Sequence, residues 1–128
     1  MATLTAKLTL TSANLTSDSL NVSVSDVLTV TDPFISPSHV AIEGSGGSDT
    51  TLVASSASNK YVYLRHTGLK DDGTATTAEV VVDFGTTDSI RLSTGEFTFF
   101  PAKASTAITA VSNHTSTIIV EYAYWTKG

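Results

Sequence analysis

Residues 2–10 read Ala2-Thr3-Leu4-Thr5-Ala6-Lys7-Leu8-Thr9-Leu10, an alternation without a break. In an extended chain it puts Ala2, Leu4, Ala6, Leu8 and Leu10 on one side and Thr3, Thr5, Lys7 and Thr9 on the other. A period of two belongs to a strand with one covered and one wet face, since an α-helix would need apolar residues three and four apart. The pattern lapses over residues 11–19, resumes at Leu20, Val22 and Val24, and continues to Leu28 and Val30. Thr31-Asp32-Pro33 and Ser36-Pro37 predict its end, because proline has no N–H for a central ladder.

Further strands follow at short intervals. Val40-Ala41-Ile42, Leu52-Val53 and Tyr61-Val62-Tyr63-Leu64-Arg65 are apolar runs bounded by turn-forming residues. The glycine-rich stretch Glu43 to Asp49 reads as a flexible loop, and Thr67 to Thr77 as a long hairpin connection. Over 78–84, Ala78, Val80, Val82 and Phe84 share one face, opposite Glu79, Val81 and Asp83. Ile90-Arg91-Leu92, the turn Ser93-Thr94-Gly95 and Glu96-Phe97-Thr98-Phe99-Phe100 predict a compact hairpin ended by Pro101. Ala107 to Val111 and Thr117 to Trp125 complete the series; in the last strand Ile118, Val120, Tyr122 and Tyr124 face one way, Ile119, Glu121, Ala123 and Trp125 the other.

About eight to nine short strands with regular turn signals and no substantial helix specify an all-β chain, a two-sheet antiparallel β-sandwich of jelly-roll character. Composition agrees: the 128 residues include 22 Thr and 17 Ser, Gln is absent, and only 15% are charged. The length suits one domain over residues 1–128, with 1–19 as a candidate N-terminal arm strand. A surface clothed in hydroxyls serves two ends equally: solvent faces of ordinary strands, or close contact in a permanent assembly.

The chain has no cysteine, which excludes disulfides, thiolate metal sites and cysteine nucleophiles. A net charge of -5, with the seven basic residues scattered, argues against a nucleic-acid partner. No apolar stretch is long enough for a membrane helix, and the first residues lack the pattern of a signal peptide. Asp83-Phe84-Gly85 spells a kinase tripeptide without the rest of a kinase, and Gly44 to Ser48 has no following Lys-Ser/Thr to make a phosphate cradle. His39, His66 and His114 are too dispersed for a metal set and stand at expected strand ends or turns, where surface hydrogen bonding is the default. The sequons at Asn14, Asn21 and Asn113 are the chance yield of so much Ser and Thr. No catalytic, cofactor or metal residue is expected, and no enzyme. The aromatic residues that merit attention as a sugar-stacking platform are Tyr63, Tyr124 and Trp125.

Tyr61-Val62-Tyr63-Leu64, Val80-Val81-Val82-Asp83-Phe84-Gly85, the run from Ile90 through Gly95-Glu96-Phe97 to Phe99-Phe100-Pro101, and Val120-Glu121-Tyr122 with Tyr124-Trp125 together resemble small Thr/Ser-rich structural proteins of tailed bacteriophages, marine ones especially. The resemblance implies a virion component present in many copies, a decoration or cement protein on the head lattice. Its implied partners are the major capsid protein or other virion proteins and further copies of itself, a trimer fitting quasi-threefold lattice positions. The residues expected to form an assembly arm are Leu4, Ala6, Leu8 and Leu10, whose alternative is an ordinary intramolecular edge strand. A tail- or fibre-associated module binding host glycans is the second expectation, and a small cupin-like enzyme a third on fold grounds alone.

Overall fold

The computed structural model describes residues 1–14 and 19–128. The sequon at Asn14-Leu15-Thr16, part of the lapse over 11–19 and the end of the candidate arm at 1–19 therefore fall partly outside the described residues. Among those described, nine strands and no helix are found: β1 (Ala2–Ser12), β2 (Leu20–Ile42), β3 (Thr50–Val53), β4 (Lys60–Lys70), β5 (Val80–Phe84), β6 (Thr87–Leu92), β7 (Phe97–Ala102), β8 (Ile108–Ser112) and β9 (Ile118–Lys127). They form two antiparallel sheets, ordered β1-β2-β9-β4-β7 and β3-β8-β5-β6. The all-β, two-sheet class read from the alternation is the fold observed.

The chain divides into two compact units, Met1–Thr31 with Lys127–Gly128, and Asp32–Thr126. The first is the β1–β2 hairpin, paired in continuous register from Ala2↔Val30 through Ala6↔Asp26 and Leu8↔Val24 to Ser12↔Leu20. Gly128 N–H donates to Thr29 O at 2.9 Å within this unit.

In the second unit the alternating residues of both sheets meet in one core. Val62, Leu64, Ile118 and Val120 from one sheet pack with Val80, Val82, Leu92, Ile108 and Ala110 from the other. Phe84 and Phe100 bridge the sheets with ring centroids 5.1 Å apart. Phe84 thus packs where the inward alternation of β5 places it, and Gly85 follows in a turn at φ 72°.

Two expectations are corrected. β2 is not ended by Pro33 or Pro37 but runs on to Ile42, with a cis Asp32–Pro33 bond. Among the described residues the last β1 partner is at Val30, and past it Pro33 O accepts the Thr126 hydroxyl of β9 at 2.7 Å, a bond that needs no N–H from the proline. The second correction concerns residues 90–100, which do not make a hairpin: β6 pairs with β5 in one sheet and β7 with β4 in the other. The intervening turn is docked on β4, with Gly95 N–H donating to His66 O and His66 N–H to Glu96 O. Those bonds steer the chain across the sandwich rather than back along β6.

His66 is also placed otherwise than expected. It sits inside β4, fully buried, on the inward face with Leu64. Its Nδ1 accepts the Gly68 N–H at 2.9 Å, so the proton lies on Nε2, which donates to Ala78 O at 2.8 Å. Both ring nitrogens are satisfied, which makes the histidine a core residue that fastens the 66–78 connection. Gly68 belongs to the same device: its φ is +81°, and a Cβ there would lie 2.8 Å from Thr94 Cγ2.

Candidate functional site

The outer face of β7, β4 and β9 is a three-by-three grid set by register. Pro101, Tyr61 and Trp125 form one row, Phe99, Tyr63 and Ala123 the next, and Phe97, Arg65 and Glu121 the third. With rows roughly 7 Å apart and strands roughly 5 Å apart, side chains in neighbouring rows and columns are within reach of one another. Tyr61 and Phe99 stack, with centroids 6.0 Å apart and planes at 11°. Phe97 and Phe99 are 64% and 40% exposed, although each is large and apolar. Exposed rings beside half-buried ones make this face the main aromatic surface among the described residues.

Polar groups close one end of the grid. Tyr63 donates its hydroxyl proton to Glu121 Oε1 at 2.7 Å, and His39 Nε2 lies 3.7 Å from Glu121 Oε2. Partial burial, then the hydrogen bond to Glu121, holds the Tyr63 phenol above its ordinary pKa. Arg65 stands opposite Glu121 in the ladder, exposed and without an ion pair among the described residues.

Of the three aromatic residues expected to form a platform, the fold brings Tyr63 and Trp125 to this face and sends Tyr124 to the other. Tyr124 pairs with Val62, packs against the core and lies under Lys60 Nζ at 5.6 Å. Its place on the outer face is taken by Tyr61, Phe97 and Phe99. Strict alternation along β4 and β7 puts these three on a common side; only the pairing of β7 with β4 makes it the side of Trp125, and that pairing has no local sequence signal.

The hairpin unit presents a second apolar surface. Leu4, Ala6, Leu8 and Leu10 lie on one face with Leu28, Asp26, Val24 and Val22 opposite them. Leu8, Leu10, Val22 and Val24 are exposed, Leu4, Ala6 and Leu28 half-buried. The reverse face carries Thr3, Thr5, Lys7 and Thr9. The expected arm residues are thus brought together on one face, as half of a two-stranded ribbon whose other half comes from β2.

The remaining polar constellations are less able to act on a ligand. His114 Nδ1 lies 3.3 Å from Ser116 Oγ beside a groove of about 400 Å³, also lined by Lys70 and Asn113, but no carboxylate is bonded to the His114 ring among the described residues. A hydroxyl–imidazole pair without an orienting acid is a poor nucleophile. On the outer face of the other sheet, Asp83 stands directly opposite Asp88 and near Asp49. Burial, reinforced by Asp88 and Asp49, lifts the Asp83 carboxyl to about 6, and its Oδ1 is buried with no hydrogen-bond partner. Among the described residues no group of three His, Cys, Asp or Glu side chains is arranged to hold a metal ion.

No protein-family model matches this chain, and no curated protein matches it in sequence.

Proposed function

We propose that this chain is a structural protein of a tailed-bacteriophage virion, a decoration or cement protein that stabilises the head lattice through contacts with the major capsid protein and with further copies of itself, a trimer being the count that suits a threefold position. The observation that carries the reading is the β1–β2 hairpin, a two-stranded ribbon with Leu8, Leu10, Val22 and Val24 exposed along one face. An apolar sheet face exposed to water gains stability when it is covered. A protein built to be covered is built to assemble. The hydroxyl-rich surface, with only 15% of residues charged, supports the same reading, because few charged groups have to be desolvated where copies meet. The test is the temperature at which empty phage heads open, with and without added chain: a cement protein raises it, and an unchanged opening temperature rejects the role.

A second reading rests on the ring-bearing grid. Tyr61, Tyr63, Phe99 and Trp125 beside Glu121 and Arg65 combine stacking planes with hydrogen-bonding groups, the pairing a sugar ring requires. On that reading the chain is a tail- or fibre-associated module binding host glycans. Trp125 fluorescence reports it: a saturable change with oligosaccharides supports glycan binding, and a flat response excludes it.

A further inference from the structure

The hairpin and the grid are two apolar surfaces with exposed side chains on one chain, and each carries a charged residue that makes no ion pair among the described residues. Among the described ladder pairs on the apolar face of the hairpin the charged residue is Asp26, opposite Ala6. On the grid the cation is Arg65, which forms no ion pair with Glu121 across the ladder, where Glu121 takes the Tyr63 hydroxyl proton instead. We infer that the two surfaces are each other's partners in assembly: the apolar face of the hairpin of one copy lies on the ring-bearing grid of a second copy, with Asp26 meeting Arg65. This deepens the self-assembly part of the proposed function and rests on it.

Shape and chemistry favour the match. Both surfaces are sheet faces, and short aliphatic side chains packed against ring faces and edges fill space well. A hairpin docked on another hairpin would instead bring the two Asp26 carboxylates into one apolar contact with no cation, which costs desolvation without recompense.

The exposed Leu and Val side chains of the hairpin present roughly 300 Å² of apolar surface, and the grid about as much. One such contact falls short of the roughly 1,200 Å² expected of a stable isolated pair. Because the contact joins two unlike surfaces, each copy can make it twice, once through its hairpin and once through its grid, which doubles the area buried by every copy.

Charge reversal tests this. Asp26→Arg and Arg65→Asp change exposed side chains, and circular dichroism checks that each variant stays folded. The readout is the light-scattering mass across a dilution series, in solution and without phage heads. Each single reversal is expected to raise the concentration needed for half-assembly at least fivefold, and the double variant to restore it to within about twofold of the parent. An Arg65→Asp chain that assembles as the parent does, or a parent that is monomeric throughout, overturns the inference. Assembly restored by the double reversal in a chain that nevertheless ignores phage heads leaves this inference standing and sinks the virion role.

Discussion

Leu8 stands directly across the ladder from Val24, and the two are 41% and 57% exposed. Cross-strand apolar pairs are the unit of sheet stabilisation, yet this one lacks a third layer to cover it. The pair is therefore the most direct place to test the proposed contact.

Replacing both residues by serine should abolish or sharply weaken self-association while leaving the sandwich of residues 32–126 folded. Each side chain removed from a covered apolar contact costs on the order of 1–2 kcal/mol, so the double change should raise the half-assembly concentration by a factor of roughly 30 or more. Sedimentation measures the loss, and an unchanged thermal transition of the sandwich shows that the fold is spared. Unaltered association would remove the hairpin from the interface.

His66 tests the core. His66→Ala removes a fully buried ring and leaves the Gly68 N–H and the Ala78 carbonyl without their partners. The expected cost is about 2–4 kcal/mol, the sum of a cavity and two orphaned polar groups. Urea denaturation measures it, and a loss under about 1 kcal/mol would mean that the 66–78 connection is held by other contacts.

Asp83 gives the molecule a pH signature of its own. Its folded carboxyl titrates at about 6 against an ordinary 3.8, so the folded state holds this proton more tightly than the unfolded chain. Its stabilising contribution is whole below pH ~4 and is lost as pH rises through about 6. Asp83→Asn cannot ionise, so the difference in stability between variant and parent should shift in favour of the variant by a few kcal/mol at most between pH 4 and 7. Thermal melts of both across that range read the difference directly, and a pH-independent difference contradicts the assignment.

Alternation made the fold class and the inward faces legible: Val80 and Val82, Val62 and Leu64, Ile118 and Val120 all point where a period of two puts them. What stayed hidden is non-local. Ser93-Thr94-Gly95 has the composition of a hairpin turn, and only its hydrogen bonds to His66 on β4 show that it sends the chain to the opposite sheet. The grid was half legible for the same reason, since Tyr63 and Trp125 were visible as candidates while their meeting with Phe99 depends on a strand order that no local signal encodes. Tyr124 was misplaced by its nearness in sequence to Trp125, although neighbours in a strand face opposite ways. The period of two places Asp83 on the face away from Val80 and Val82 and says nothing of its burial, which follows from pairing with Asp88 on β6 and Thr109 on β8.

The most direct measurement is co-sedimentation of the purified chain with empty tailed-phage heads that lack their small outer proteins, read as copies bound per head at saturation. The account predicts saturable binding, with a plateau that is a whole-number multiple of the symmetry-related positions on the lattice. Heads that leave the chain in the supernatant, or that bind it without a plateau, would contradict it.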